Sequence, residues 1–503
     1  MDRVYREELH ALRPDPLSRV AVLLVGHGSL LDPDSSRPVH ELASHLRKSG
    51  RFGEVRTAFW KEEPQLHYAF DLIEHREVFV VPVFMSEGYF TDRVVPRELG
   101  LEGRVTRRGP WKIQYCGPVG SHPRMSEIVS ARADEVIPAV DRERTTVVIL
   151  GHGTTAHPRS AETTLALVEN LRSEARYARV LPAFLDQDPT LNRILATERT
   201  GPMAVIPFFV SEGWHVGTTI PRDVALQGGE DGPGSPPVWC SRPVGTHPAM
   251  AEVVLDLVGY DPDTAVDEEA SPSHEAFPLR EDGLPAAEAR TAFLSWIRAA
   301  APDSRVFLQT VVQCSGEDRF EIRHEKDRDV APTALRSLND LDQLRDVVTR
   351  TATGEYRPLS TAPNLQKGWR FADLAADEAW EAYAQLYPAA PVHWNLKSIG
   401  RLDVVSFREA ADRQTGLYAR TADLGDARVE ALSKACCSPE RCLREPTWAL
   451  QMSGRSAESR ASHGQGLVVP CPAPCSVFFS IATHAVNDVP PPASTLDPPQ
   501  GSR

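Results

Sequence analysis

The first part of the chain alternates short, uninterrupted apolar runs with amphipathic segments. The apolar runs predict strands at 20–25, 55–59, 78–84 and 113–116. The segments between and after them predict helices at 38–49, 64–74 and 123–136. Strands that are apolar throughout, and that are separated by helices, indicate a parallel sheet covered on both faces. Right-handed crossovers between such strands give a doubly wound α/β lobe.

This pattern returns 125 residues further along the chain, in register and without a gap. Gly26-His27-Gly28 becomes Gly151-His152-Gly153, and Ser86-Glu87-Gly88 becomes Ser211-Glu212-Gly213. Strands are predicted in this second copy at 146–150, 180–184 and 204–209. One position breaks the symmetry, because His215 in the second copy corresponds to Phe90 in the first. The repeat therefore predicts two tandem lobes of one fold with one working site.

The second half of the chain has a different character. An acidic, proline-containing stretch predicts a linker, and beyond it a hairpin at 305–313 and 319–323 and a helix at 335–349 indicate α+β structure. The fold class is thus α/β, with two tandem doubly wound parallel-sheet lobes followed by α+β C-terminal domains. The predicted boundaries are lobe 1 at 1–138, lobe 2 at 139–258, the linker at 259–283, a connecting domain at 284–371, a cysteine-containing domain at 372–489 and a disordered tail at 490–503.

Composition and charge narrow the function classes. The formal net charge of −14 over 503 residues argues against a nucleic-acid partner. No apolar run approaches the roughly 20 residues of a membrane helix, so no membrane partner is expected. The charged N-terminal residues are not followed by the apolar core of a secretory signal, and we therefore expect a cytoplasmic protein.

The candidate chemistry lies directly after the predicted strands. His27 and His152 each follow a buried strand and stand between two glycines, while His215 comes just past the third strand of lobe 2. The carboxyl ends of neighbouring parallel strands meet at one edge, so His152 and His215 are expected to face one cleft, where two neutral imidazoles can hold a divalent metal. Glu212 is expected there as a base or weak ligand, or alternatively as a turn cap.

In their order, these motifs resemble those of a known family. The chain has a strand followed by Gly-His-Gly, then Phe-Phe-Val-Ser-Glu-Gly-Trp-His at 208–215, and then Thr-Ile-Pro-Arg-Asp at 219–223. This series is similar to that of the sirohydrochlorin cobaltochelatase/ferrochelatase family of CbiX- and SirB-like class II tetrapyrrole chelatases. The resemblance covers about residues 18–258, in two tandem copies. It implies the insertion of Co²⁺ or Fe²⁺ into the small-molecule tetrapyrrole sirohydrochlorin, for cobalamin or sirohaem biosynthesis.

The resemblance also assigns residues. His152 and His215 match the metal-binding pair of the family, whereas His27 matches only its first member, and Phe90 leaves lobe 1 incomplete. Glu212 and His27 are the remaining catalytic candidates. Because sirohydrochlorin carries many carboxylates, cations are expected around it, and the candidates are Arg93, Arg97, Arg159 and Arg222. His122 and His247 precede proline, and we assign them to helix starts.

The C-terminal cysteines predict a cofactor. Cys436 and Cys442 form one pair and Cys471 and Cys475 another, with Cys437 as an alternative ligand. In a reducing cytosol such a cluster indicates metal binding, and the spacing lacks the short intervals of zinc fingers. It resembles the [4Fe-4S] ligand spacing of sirohaem-dependent sulfite and nitrite reductases, with zinc or unliganded thiols as alternatives. The region also resembles an iron–sulfur domain fused to some chelatases of the family, which leaves a redox partner open.

Two other functions compete with the enzyme. The first is a non-catalytic carrier of metal or tetrapyrrole, against which the retained pair His152 and His215 argues. The second is an iron–sulfur redox protein that acts on a tetrapyrrole, against which the lack of any flavin or nicotinamide fingerprint argues.

Overall fold

The computed structural model describes residues 16–29, 32–153, 159–212, 220, 236–259, 283–314, 318–349, 365–414, 416–437 and 471–486. The chain forms two compact units. The first extends to Leu284 and the second begins at Pro285, except that the short segments Ser29–Pro33 and Lys61–Glu63 group with the second. The predicted tail at 490–503 and nearly all of the predicted linker at 259–283 lie outside the described residues. None of the described helices is long and apolar enough to cross a membrane.

The first lobe is built on a five-stranded sheet with the order β2-β1-β3-β5-β4. Its strands are β1 (Ala21–Gly26), β2 (Glu54–Phe59), β3 (Glu77–Pro82), β4 (Val105–Arg108) and β5 (Trp111–Tyr115). All pairings are parallel except that of β4 with β5. The parallel strands match the predicted apolar runs, whereas β4 was not predicted. Its sequence, Val-Thr-Arg-Arg, is short and half charged, as suits an edge strand that pairs on one side only.

The second lobe repeats this arrangement with four parallel strands in the order β7-β6-β8-β9. They are β6 (Thr146–Gly151), β7 (Arg179–Phe184), β8 (Met203–Pro207) and β9 (Val238–Cys240). Every residue of β1 and β6 is buried. This complete burial is what a central strand with helices on both faces requires, and it confirms the prediction of two α/β parallel-sheet lobes.

Helices cover these sheets, and the last helix of each lobe covers the other lobe. The helices of the first unit are α1 (Arg37–Lys48), α2 (Val95–Leu99), α3 (Met125–Val136), α4 (Arg159–Ser173), α5 (Leu191–Thr197) and α6 (Met250–Gly259). Helix α3 follows lobe 1 but packs on β8 and α4 of lobe 2, and α6 follows lobe 2 but packs on β3 and α1 of lobe 1. The lobes consequently share one hydrophobic core.

Polar contacts hold the exchanged helices in place. The Arg132 guanidinium on α3 donates to Thr246 Oγ1 at 2.7 Å, and Arg124 forms an ion pair with Asp256 at 2.7 Å. Cys116 Sγ lies 3.8 Å from the carbonyl oxygen of Leu257 on α6. Each sheet is therefore covered in part by a helix that the other lobe supplies, α6 for lobe 1 and α3 for lobe 2.

One predicted helix of lobe 1 has a different form. The segment predicted as helical at 64–74 is a 3₁₀ helix over Leu66–Leu72. Leu66, Ala69 and Leu72 are all buried and recur every third residue, which is the period of a 3₁₀ helix. The spacing of apolar residues therefore predicted which side of this segment is buried. The helix has three residues per turn rather than the 3.6 of an α-helix.

The second unit contains an antiparallel-rich sheet with the order β10-β11-β12-β14-β13. Its strands are β10 (Ser304–Phe307), β11 (Thr310–Cys314), β12 (Phe320–His324), β13 (Arg336–Leu338) and β14 (Trp369–Leu374). The predicted strand at 305–313 is in fact two strands, because Leu308 adopts a positive φ of 54° and turns the chain. The predicted helix at 335–349 begins only at Asp342, since 336–338 pairs with β14.

Helices complete the second unit. They are α7 (Pro285–Arg298), α8 (Asp342–Thr349), α9 (Ala376–Leu386), α10 (Ala390–Ser398), α11 (Phe407–Asp412), α12 (Asp426–Cys436) and α13 (Ser476–Val486). Phe293 on α7 is fully buried and has ring contacts with Phe307, Tyr383 and Trp394. This aromatic cluster joins α7, α9 and α10 to the sheet. Near the C-terminus, α13 packs against α12.

Candidate functional site

The two Gly-His-Gly turns have the same geometry at the ends of β1 and β6. His27 Nδ1 lies 2.8 Å from the carbonyl oxygen of Gly28, and His152 Nδ1 lies 3.0 Å from that of Gly153. A carbonyl oxygen only accepts, so Nδ1 is the nitrogen that carries the proton in each of these contacts. The glycines after the histidines have φ values of 69° and 65°, in the left-handed region where a side chain is strained.

Burial follows the same pattern in both turns. The flanking glycines are buried, whereas the imidazoles of His27 and His152 are exposed. At Gly153 a Cβ atom would lie 2.6 Å from Cγ of Gln187. The backbone is thus packed into the lobe and the ring stands out at the carboxyl edge of the sheet.

A carboxylate that the sequence analysis missed lies beside His152. Asp186 follows β7, and its Oδ2 lies 3.3 Å from His152 Nδ1, while its amide donates to the His152 carbonyl at 3.1 Å. Both side chains are more than half exposed, so this pair adds little to stability. It does place an imidazole and a carboxylate at the ends of two adjacent strands. A comparison of the repeats at this position, where lobe 1 has Lys61, is the signal that could have found it.

Lobe 1 has Lys61 at the position of Asp186 and Phe90 at the position of His215. Lys61 belongs to the second unit, where Nζ lies 3.6 Å from the ring centroid of Tyr418, and burial lowers the pKa of Lys61 to about 7. Phe90 packs edge-on against His27, with ring centroids 4.9 Å apart. Neither position repeats the chemistry of lobe 2, because Lys61 has an amine where Asp186 has a carboxylate and the phenyl ring of Phe90 has no donor atom.

Glu212 has a cationic neighbour. Its Oε1 accepts a hydrogen bond from Arg242 Nε at 2.8 Å, and both side chains are exposed. This hydrogen bond raises the pKa of Arg242. The two residues follow β8 and β9, which are adjacent strands. Arg242 is a cation that the sequence analysis did not single out, and the role of Glu212 as base or ligand stays a prediction.

The other predicted residues of the lobes are distributed as follows. Arg97 lies on α2 and pairs with Glu98 at 2.8 Å. Arg159 is the first residue of α4. His215 and Arg222 lie outside the described residues.

The two histidines assigned to helix starts make capping contacts. His122 Nδ1 accepts the amide hydrogen of Arg124 at 3.3 Å, and His247 Nδ1 accepts that of Ala249 at 3.2 Å. Burial lowers the pKa of both imidazoles, which favours the neutral form that can accept.

Four of the five clustered cysteines belong to the described residues. Cys436 ends α12 and Cys437 follows it, whereas Cys471 and Cys475 precede α13. The Sγ atom of Cys475 accepts the amide hydrogen of Phe478 at 3.5 Å. Thiolates at a helix start, with amide N–H groups directed at sulfur, suit an iron–sulfur cluster. Cys442 lies outside the described residues.

Within the part of the chain that the structure describes, no three His, Cys, Asp or Glu side chains are grouped to hold a metal ion. Each predicted ligand set has a member beyond that part, namely His215 for the lobes and Cys442 for the cysteines.

Family models match nearly the whole chain. Residues 21–136 and 146–259 each match the model named CbiX. Residues 293–398 match the DR2241 stabilising domain, and residues 399–484 match a 4Fe-4S iron-sulfur cluster binding domain.

Individual proteins match as well. The "Probable sirohydrochlorin cobaltochelatase" of Halobacterium salinarum is 38% identical over 261 residues, which are 47% of this chain and 89% of that protein. The sirohydrochlorin cobaltochelatase of Methanopyrus kandleri is 32% identical over 140 residues, 24% of this chain and 97% of that protein. The crystal structure of DR2241 from Deinococcus radiodurans, described as a multi-domain protein with structural similarity to chelatases and two additional novel domains, superposes with a TM-score of 0.76 at 28% identity. That match covers 94% of this chain and 100% of that one.

Proposed function

The chain belongs to the CbiX family of chelatases, and from this we propose that it inserts Co²⁺ or Fe²⁺ into sirohydrochlorin at lobe 2. The observation that carries the proposal is the pair His152 and Asp186, an imidazole and a carboxylate at the ends of adjacent strands with Nε2 of the imidazole available. The names of the two sirohydrochlorin cobaltochelatases reported above favour Co²⁺ as the substrate metal.

The exposure of this pair fits delivery of a metal rather than its storage. A site that must release its ion to a macrocycle needs few protein ligands and an open side. His152 supplies a nitrogen ligand on the solvent-facing edge, Asp186 is the acidic partner of its Nδ1, and the family resemblance adds His215. Insertion also releases two protons from pyrrole nitrogens, and imidazole and carboxylate groups are both able to accept protons from a substrate held against them.

The backbone supports this role. The Gly153 carbonyl keeps the proton of His152 on Nδ1, so that Nε2 is a ligand without any rearrangement. Gly153 is required because its left-handed φ turns that carbonyl back towards the ring.

The chain also carries a 4Fe-4S cluster binding domain. We propose Cys436, Cys442, Cys471 and Cys475 as the ligands, with Cys437 as the alternative to Cys436. When bound, such a cluster supplies one-electron chemistry or ties separate segments together. The proposed insertion at His152 and Asp186 makes no use of electrons, so the cluster is assigned no part in it.

The test is direct. The purified protein is incubated anaerobically with sirohydrochlorin and either Co²⁺ or Fe²⁺, and the absorption of the macrocycle is followed over time. His152→Ala should lower the insertion rate at least tenfold, whereas the matched change His27→Ala in lobe 1 should have a much smaller effect. Binding of both substrates without insertion by the wild-type protein would instead identify a carrier.

A further inference from the structure

Lobe 1 carries a group of aromatic side chains that are in contact with one another at the carboxyl edge of its sheet. Phe90 is the centre of this group. Its ring lies 4.9 Å from His27, 6.1 Å from Phe84 in a stacked arrangement and 6.2 Å from Trp60. These side chains follow β1, β2 and β3, so they lie at the carboxyl edge of the lobe 1 sheet. This edge corresponds to the edge of the lobe 2 sheet that carries His152 and Asp186.

The aromatic group is not a buried core. His27 is exposed, and Trp60, Phe84 and Phe90 are each partly accessible. Tyr89, next to Phe90, is 46% exposed and is one of the large apolar residues that the described surface presents to solvent. Accessible rings grouped at one edge of a sheet form an apolar patch of the kind that marks ligand-binding grooves.

The segment that carries the rings is held rigidly. Phe90–Val94 forms a π-helical turn, a form that recurs at functional sites, in which the Val95 amide donates to the Phe90 carbonyl. The Thr91 hydroxyl donates to the Gly88 carbonyl at 3.0 Å, and the Tyr115 hydroxyl donates to the Thr91 carbonyl at 2.7 Å. The backbone that carries Phe90 is therefore held in place by hydrogen bonds before any ligand arrives, which lowers the entropy cost of binding.

A cation accompanies the rings. Arg93 lies on the same turn, three residues after Phe90, and is exposed. Aromatic faces with an adjacent guanidinium suit a ligand that is flat and conjugated in the middle and carboxylated at its rim. A tetrapyrrole with acidic side chains has this chemistry, whereas a hydrated metal ion does not.

We propose that the carboxyl edge of lobe 1 binds the face of the tetrapyrrole through Tyr89 and Phe90 and one of its carboxylates through Arg93. This inference rests on the proposed function and divides the work between the copies: lobe 1 holds the macrocycle and lobe 2 presents the metal. The difference between Phe90 and His215 is then a difference in what each lobe binds.

The test separates macrocycle binding from metal binding in the full-length protein. Metal-free sirohydrochlorin is titrated into the wild type and into Tyr89→Ala, Tyr89→Phe, Phe90→Leu and Arg93→Gln, and binding is read from the macrocycle absorption. Co²⁺ alone is titrated in parallel and read from the visible absorption of the bound ion. Tyr89→Ala and Phe90→Leu should each weaken macrocycle binding about tenfold. Tyr89→Phe should retain it, and Co²⁺ binding should be unchanged in all four variants.

Three results would overturn the inference. The first is wild-type macrocycle affinity in both Tyr89→Ala and Phe90→Leu. The second is a loss of macrocycle binding in Tyr89→Phe as large as that in Tyr89→Ala, because the inference requires only the ring face of Tyr89. The third is a wild-type protein that binds no sirohydrochlorin. That result would remove the proposed function as well, and the first two would leave it intact.

Discussion

At the scale of single residues, the two copies have the same backbone at the Gly-His-Gly turn but different side chains around it. Both keep the histidine, the left-handed glycine after it and the hydrogen bond between them. They differ at Lys61 and Asp186, and at Phe90 and His215. Repeat comparison finds such differences from sequence alone, but only the structure shows that Asp186 lies against His152.

Asp186 gives the first prediction. Asp186→Asn keeps the shape of the side chain but removes its charge, and the affinity for Co²⁺ should fall about 10- to 100-fold, the usual cost of losing an acidic partner of a metal-binding histidine. The measurement is a Co²⁺ titration followed by absorption. Asp188→Asn, an exposed carboxylate in the same segment, is the matched control and should leave the affinity unchanged. Equal affinities in Asp186→Asn and the wild type would remove Asp186 from the site.

A second residue pair links stability to pH. His75 Nδ1 lies 3.0 Å from Oε2 of Glu54. That hydrogen bond is the main reason why the pKa of His75 is raised above its ordinary 6.5, against the effect of burial. Burial alone would raise the pKa of Glu54, but Arg56 and the hydrogen bonds from His75 and the Glu74 amide together hold it below 4.5.

The sign of the pH dependence follows from these shifts. A raised histidine pKa stabilises the fold below pH 6.5 and loses its effect as the pH rises through the folded value, whereas the lowered carboxyl pKa contributes above pH 4.5. His75→Asn should therefore destabilise most between pH 4.5 and 6.5 and less at alkaline pH, measured by denaturant unfolding at several pH values. His122→Asn is the contrasting variant, because burial lowers the pKa of His122 and its loss should matter more at alkaline pH.

At the scale of elements, the sequence predicted the parallel strands well because each is apolar along its whole length. It failed where tertiary contacts or unusual periods decide the structure. β4 carries two arginines and forms only because β5 offers an open edge. The 3₁₀ helix at Leu66–Leu72 and the π-helical turn at Phe90–Val94 have periods on either side of the α-helix, and an α-helical template describes neither.

The π-helical turn supports a third prediction. Tyr115→Phe removes the hydroxyl that donates to the Thr91 carbonyl, and the free energy of unfolding should fall by about 1–2 kcal/mol because the carbonyl of the buried Thr91 loses this donor. Chemical denaturation gives the value. Tyr89→Phe removes a hydroxyl from an exposed ring one residue before the turn and should change the stability by less than about 0.5 kcal/mol. Similar losses in both variants would show that the Tyr115 hydrogen bond has no particular weight.

At the scale of the molecule, the first unit is held together by the exchange of α3 and α6. The sequence showed the repeat but not the exchange, since a helix that follows its own strands has the same apolar pattern whichever sheet it covers. The boundary between the lobes at 138 and 139 stays a prediction. The hydrophobic core contains residues from both sides of it.

The exchange predicts how fragments behave. Residues 1–138 alone should lack a cooperative unfolding transition, because β3 loses the cover of α6 while α3 loses β8. Residues 1–259 should unfold cooperatively. Far-ultraviolet circular dichroism with thermal denaturation distinguishes the two. A cooperative, monomeric 1–138 fragment would show that α3 is able to fold back onto its own sheet.

The final prediction concerns the cysteines. Protein purified without oxygen should be brown and contain about four irons per chain, as one Cys-held [4Fe-4S] centre requires. Replacing Cys475 by Ser should lower the iron content, while the first unit, which has its own cores, keeps its thermal transition. Iron analysis and calorimetry provide the two readouts. A colourless protein with one zinc per chain would end the iron–sulfur assignment.

The exchanged helices also bear on what is gained when two lobes are joined in one chain. A polypeptide with one lobe could cover its sheet in this way only by lending its last helix to a second copy, and such a pair would be a symmetric dimer in which every substitution appears twice. Covalent fusion keeps the same interlocked core at any concentration and frees the copies from identity. In the fused chain the two copies do differ, with Phe90 and Lys61 in one and His215 and Asp186 in the other.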